Sequence, residues 1–266
     1  MTPSDILSEA IRHFAQHGYE GDSLGYWMQA IRAAILGQES KRKPPTQMAH
    51  AALDAVFKKA VRGAPKYHPG VDRFGIEQVA PRLRPLLTAR ILASADLIKL
   101  NREQAVEVTL RRFAGWASSQ PPGGSPVELR EVKKHIGKRL QSSTFEERRM
   151  LIDQGHKLIS SVNQTIAEGN GAIAAQWHHV HQANYDARPE HVARDDRIYL
   201  IRDSWAHKDG LVKVGANGYT DQITQPAQEP FCRCYFTYLY SLSRLPADLL
   251  TEKGKKVMER TRLKVA

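Results

Sequence analysis

The chain has 266 residues, with 39 Lys plus Arg against 28 Asp plus Glu, for a formal net charge of +11. Hydrophobic residues at 41% and charged residues at 25% are ordinary for a chain with a buried core. No run approaches the ~18 apolar residues of a membrane-spanning helix. The two cysteines, Cys232 and Cys234, exclude a disulfide framework and fit a reducing compartment.

The N-terminal Met1-Thr2-Pro3-Ser4-Asp5 lacks the basic and apolar stretches of a secretory signal. Apolar residues at helical spacing predict helix after helix over the first 170 residues. Ser4 is the expected cap of a helix carrying Ile6, Leu7, Ala10, Ile11 and Phe14, which ends at Gly18. Ser23 precedes a second, with Trp27, Ile31, Ala34 and Ile35. A charged connector closed by Pro44 and Pro45 leads to a third, capped by Thr46, with Ala49, Ala52, Leu53, Val56 and Phe57, closing at Gly63. Prolines and glycine make 64–70 a loop. Residues 76–117 read as a long helical stretch, kinked or broken near Pro81 and Pro85. The strongest break is Gln120-Pro121-Pro122-Gly123-Gly124-Ser125-Pro126. Two helices are expected after it, at 127–140 and 144–176, the second capped by Ser143 or Thr144 with Glu146 and Glu147 in its first turn.

After residue 176 the texture turns aromatic and β-branched. Short strands are expected around 176–181, 197–201 and 232–240, with glycine-bearing turns at Gly210 and Gly218. The sequence therefore predicts a mainly α protein with a small α+β C-terminal module. Its parts are a helical N-terminal region at 1–125, a helical connector at 126–176, a module at 177–245 with short antiparallel strands around a C-x-C strand, and a basic helix or tail at 246–266.

The positive excess is concentrated early: residues 1–140 hold 22 basic and 13 acidic side chains, residues 141–266 hold 17 and 15. Such a field favours an anionic partner, nucleic acid being the commonest, or serves only as a solvated face. The contact residues it nominates are Lys41, Arg42, Lys43, Lys58, Lys59, Arg62, Arg111, Arg112, Lys133, Lys134, Lys138 and Arg139.

Phosphate-binding glycine loops, a serine elbow and a paired-histidine zinc helix are all missing from the sequence. What carries chemistry is the C-terminal module. On a strand, Cys232 and Cys234 point the same way, and thiolates with imidazoles bind zinc tetrahedrally. His191 leads the candidate partners, followed by His178, His179, His181 and His207. Two thiols packed as small hydrophobes are the other reading. His191 lies in Arg188-Pro189-Glu190-His191 near Asp186, Arg194, Asp195 and Asp196, a grouping that either moves protons or locks a turn.

The order of Trp177, then Asp186-Ala187-Arg188-Pro189-Glu190-His191, then Glu229-Pro230-Phe231-Cys232-Arg233-Cys234 resembles the Mu-F-like minor head (head morphogenesis) family of tailed bacteriophages. The family pattern is W…D-x-R-x-x-H followed by P-x-C-R-C, and the resemblance covers about residues 150–240. The chain departs from it after the histidine, with Val192-Ala193-Arg194-Asp195-Asp196 in place of a Leu-Asp-Gly-like stretch, and in the aromatic insert around Tyr199 and Trp205.

The resemblance implies a minor component of the virion head interior, assembled in the host cytoplasm. It would contact the portal protein or major capsid protein and packaged double-stranded DNA, without a membrane, and assist head assembly or DNA ejection. It implies an organising role for Trp177, Asp186, Arg188, Pro189, His191, Pro230, Cys232, Arg233 and Cys234, with zinc at Cys232, Cys234 and His191 as the sharper variant and no other cofactor. Trp177 would anchor its approach helix. Some relatives are labelled ADP-ribosyltransferases, for which Glu190 is the residue to test; a non-specific DNA-binding protein with no capsid role is the third reading.

Overall fold

The computed structural model describes residues 1–180 and 188–265. The first helix begins on a reciprocal cap: the Asp5 amide donates to the Thr2 hydroxyl and the Thr2 amide to the Asp5 carboxylate. Helix α1 (Pro3–His17) therefore starts ahead of Ser4. It ends at Gly18 with φ +79°, where an added Cβ would lie 2.1 Å from the Pro121 carbonyl oxygen. The Gly123 and Ser125 amides donate to the His17 and Ala15 carbonyls, so the glycine-proline break is fastened to this helix end.

Helices α2 (Gly21–Glu39), α3 (Pro45–Gly63), α4 (Arg73–Gln78), α5 (Ala80–Ser118) and α6 (Leu129–Gly169) follow. Pro81 sits in the first turn of α5, where its missing amide costs nothing, and Pro85 lies inside the helix. The two helices expected at 127–140 and 144–176 are one. Neither Ser143 nor Thr144 caps a new helix: both lie inside α6, where the Ser143 hydroxyl donates back to the Leu140 carbonyl. Helix α6 also stops early, because Gly171 (φ +72°) turns the chain into strand β1 (Ala174–His178). Trp177 thus lies on a strand, not at a helix end.

Helix α7 (Pro189–Ala193), strand β2 (Ile198–Leu200), helix α8 (Trp205–Lys208), strand β3 (Tyr235–Leu239) and helix α9 (Glu252–Val265) complete the order. The last helix opens at Glu252, since two 3-10 turns, Leu242–Arg244 and Ala247–Leu249, intervene around Pro246. The strands form one antiparallel sheet in the order β2-β1-β3, with Ala175 opposite Tyr199 and Trp177 opposite Phe236. The architecture is mainly α with a small α+β module, as the sequence predicts.

Packing divides the chain into two compact units, Met1–His50 with Leu92–Leu151, and Ala51–Ile91 with Ile152–Ala266. The divisions fall inside α3, α5 and α6. In the first unit Leu7, Ile11 and Phe14 of α1 pack with Ile31 and Ile35 of α2, Leu110 and Phe113 of α5, and Ile136 of α6. Beside this core Glu147, its side chain 1% exposed, is held by Arg42 at 2.6 Å and Arg102 at 3.0 Å. Glu39 takes the same two guanidiniums from the other side, at 2.7 and 3.3 Å.

In the second unit the sheet packs through Ile173, Ala174, Leu200 and Leu239 on one side, and through Trp177, Tyr199, Phe236 and Tyr238 on the other. His68 is fully buried there, its ring stacked on Tyr238 at 5.2 Å. Tyr240 donates its hydroxyl to Nδ1 at 2.6 Å and Nε2–H donates to the Asn163 side-chain oxygen at 3.3 Å, the neutral tautomer that satisfies both neighbours. Burial pushes the pKa of His68 down to about 4. An unfolded chain takes up this proton near 6.5, so the unit's stability is complete above pH 6.5 and falls as the pH drops towards 4. The expected loss is about 3 kcal/mol. Urea unfolding at pH 7.5 and pH 4.5 should show this loss in the wild-type chain and a shallower one in His68→Gln. Equal losses in both would remove His68 as the cause.

Candidate metal centre

The site is assembled by two segments far apart in sequence. The first is α7, started by Pro189 at its first position, with His191 buried on its inner side and Glu190 exposed. The second is the loop preceding β3, which Ala227 (φ +66°) and Phe231 (φ +61°) bend through left-handed backbone. It is pinned by Asp153 of α6, whose carboxylate accepts the Phe231 amide at 2.6 Å, and by the Ser160 hydroxyl, which donates to the Pro226 carbonyl. Cys232 and Cys234 lie in this loop rather than on the strand, which begins at Tyr235. Both sulfurs nevertheless face inward, as strand alternation predicts.

His191 Nδ1 lies 3.5 Å from Cys232 Sγ and 3.7 Å from Cys234 Sγ. The three ligand atoms, all on buried residues, lie within 4.8 Å of one another. The expected His/Cys/Cys cluster is therefore present. Behind it stands a chain of charge: His191 Nε2 meets Glu229 Oε2 at 3.1 Å, and the same oxygen meets Arg188 Nε at 3.0 Å. A carboxylate near the far nitrogen is the kind of outer partner that favours presenting Nδ1 to a metal. Arg188 Nη2 also donates to the Pro230 carbonyl at 3.1 Å, tying the two segments together a second time. The Trp177 ring packs edge-on to His191 at 5.2 Å and carries Arg194 over its face.

The environment favours thiolate. The Cys234 thiol donates to Cys232, and the Ala227 and Cys234 amides add their N–H groups, so the Cys232 pKa is held down to about 5 although burial opposes this. Cys234 is pushed upward by that donated hydrogen bond, by burial and by the neighbouring charge; the Val180 amide pulls it back. A divalent cation would replace the shared proton and settle both sulfurs as thiolates. A cleft of about 330 Å³ adjoins Cys234, lined by Tyr67, His156, Asn163, Arg233 and Tyr235 among others.

Of the residues singled out in the sequence, Trp177, Arg188, Pro189, His191, Pro230, Cys232 and Cys234 converge here, and Arg233 lines the cleft. Asp186 and His181 lie outside the described residues. His178 stacks on Tyr235 and His207 bonds to the Tyr219 hydroxyl, so neither faces the sulfurs. Glu229 was legible only as part of the cysteine motif; its role as the histidine's partner needed the fold.

The nominated cations separate into two kinds. Lys41, Lys43, Lys58, Lys59, Arg62, Arg111, Lys134 and Lys138 are exposed, and Arg112 and Lys133 half-buried. Arg42 and Arg139 are half-buried and paired within the first unit, with Glu39 and Glu147 and with Glu146 and Asn101 respectively.

Among the described residues no helix is long and apolar enough to cross a membrane. No protein-family model matches the sequence, and no curated protein or solved structure is significantly similar to it.

Proposed function

We propose that the chain is a phage minor head protein whose C-terminal module is clasped by a structural zinc ion, and which meets packaged DNA without sequence specificity at the portal vertex. The observation that carries this reading is the convergence of the Arg188–His191 and Pro230–Cys234 segments, the two halves of the family-like motif, on one buried point. The donor geometry supports zinc. Tetrahedral bonds of about 2.3 Å to sulfur and 2.0–2.1 Å to nitrogen give nitrogen–sulfur edges of about 3.6 Å, against 3.5 and 3.7 Å for His191 and the two thiols. The exposed lysines and arginines support the DNA contact, since neutralised phosphates release counterions whatever the sequence.

Two measurements test this. Fluorescence anisotropy with random-sequence duplex DNA should show affinity falling by at least about 10³-fold between 50 and 200 mM salt if six or more phosphates are contacted. A salt-independent or undetectable interaction would remove the DNA contact. Co-expression with a phage portal protein should yield the chain on purified portal rings. DNA binding without that association would favour a plain DNA-binding protein. Covalent labelling by an NAD analogue, lost in Glu190→Gln, would favour a transferase.

A further inference from the structure

We infer that His179 is the fourth ligand of the metal centre, closing it as a two-cysteine, two-histidine site with no position left for water or substrate. The inference rests on the metal reading above and goes beyond it, because three protein ligands describe a catalytic zinc as readily as a structural one.

The sheet register places this residue. Strands β1 and β3 pair antiparallel with Trp177 opposite Phe236 and His178 opposite Tyr235. The next step along the same ladder sets His179 opposite Cys234. Alternation then fixes the side: Trp177 and Phe236 point into the core, His178 and Tyr235 lie half-buried against each other, and His179 and Cys234 turn inward again. His179 is accordingly 8% exposed, and its Nδ1 stands 3.5 Å from Cys234 Sγ. That is the same nitrogen–sulfur edge that His191 makes with Cys232. The backbone at this point is held as well, since the His179 amide donates to the Asp195 carboxylate at 2.7 Å.

Three of the four donors thus lie just beyond the end of the β1–β3 ladder. His179 directly follows β1 and Cys234 directly precedes β3, Cys232 lies two residues before Cys234, and His191 is brought across by α7. His179 meets one thiol directly; the other three ligand atoms lie within 4.8 Å of one another without it, so ligation requires its imidazole to swing towards them. A closed set of two thiolates and two neutral imidazoles is electrically neutral around a divalent zinc ion, which suits a site with both sulfurs buried. In a three-ligand site the fourth position would instead be filled from the cleft beside Cys234, where His156 and Arg233 stand.

The test uses the full chain, freed of metal and titrated with cobalt(II) and then zinc. The wild-type chain should give the intense visible absorption of tetrahedral cobalt. In His179→Ala that spectrum should change and zinc affinity should fall by more than the roughly 10–100-fold expected for loss of an outer partner, for which Glu229→Gln is the comparison. His179→Cys should restore tetrahedral binding with stronger sulfur charge transfer, and His178→Ala, altering the adjacent outward-facing residue, should leave affinity unchanged. X-ray absorption of the zinc-loaded wild-type chain should count two sulfur and two imidazole scatterers, a result that does not depend on any variant folding. Failure of the wild-type chain to bind either metal would sink the metal reading itself. Binding with unchanged affinity and spectrum in His179→Ala, or one imidazole plus an oxygen in the wild-type chain, would overturn the closed site alone and leave an open zinc facing the cleft.

Discussion

With the proposed zinc in place, a chelator is expected to lower the unfolding midpoint of the sheet-bearing unit, and adding zinc back to restore that midpoint. Binding only to the folded form stabilises by about 4 kcal/mol when free metal is a thousandfold above the dissociation constant. For a domain of this size that is roughly 8–16 °C. The effect should be confined to one unit, because His191, Cys232 and Cys234 all belong to residues 152–266. Near-ultraviolet circular dichroism reports it well, since Trp177 is fully buried against His191 and Phe236. Protein purified without chelator should carry close to one equivalent of zinc. Less than about a tenth of an equivalent with an unshifted midpoint would leave two packed thiols and no metal.

The other unit has its own point of failure. Glu147→Ala should destabilise it by about 3–5 kcal/mol, the usual cost of removing one partner from a buried charge network. Arg42 and Arg102 have side chains only 22% and 11% exposed, and Glu39 alone would remain to pair with both. Urea unfolding measures this directly, with Glu131→Ala as a control: that carboxylate is 72% exposed and meets Lys134 at 3.9 Å. Replacing Glu147, Arg42 and Arg102 together by apolar residues should recover much of the loss, since no unpaired charge is then left. A loss below 1 kcal/mol in Glu147→Ala would mean that water reaches these guanidiniums.

How far the sequence could be read depended on the reach of the interaction concerned. Helical spacing of Leu7, Ile11 and Phe14, or of Leu53 and Phe57, is a local signal, and the helices stand where it puts them. Cap residues misled wherever a serine had a second use: Ser4 was displaced by the Thr2–Asp5 reciprocal cap, and Ser143 satisfies a carbonyl inside a continuous helix instead of starting a new one. The strand with Trp177 was expected at 176–181 and starts two residues earlier, because a turn at Gly171, rather than any change of hydrophobic period, ends α6. The paired thiols and His191 were legible as ligand types. The roles of Glu229 and of the Arg42–Glu147 pair were not, because each acts through a neighbour distant in sequence: His191 for Glu229, and residues 105 positions apart for Arg42 and Glu147. His179 was among the histidines named behind His191, but its place beside Cys234 needed the sheet register. Charge counting nominated Arg42 and Arg139 alongside the exposed cations because it cannot see which guanidiniums are paired within the fold.

Neither compact unit is a continuous piece of polypeptide. Leu7, Phe14 and Ile31 complete their packing only when Phe113 and Ile136 are present. During synthesis the opening hairpin of helices must therefore wait, apolar side chains exposed, until the ribosome has delivered most of α6. The stretch at 51–91 waits longer still, for residues near the C-terminus. Nascent chains halted near residue 125 should thus be prone to chaperone capture and aggregation, and become protease-resistant only after α6 has emerged.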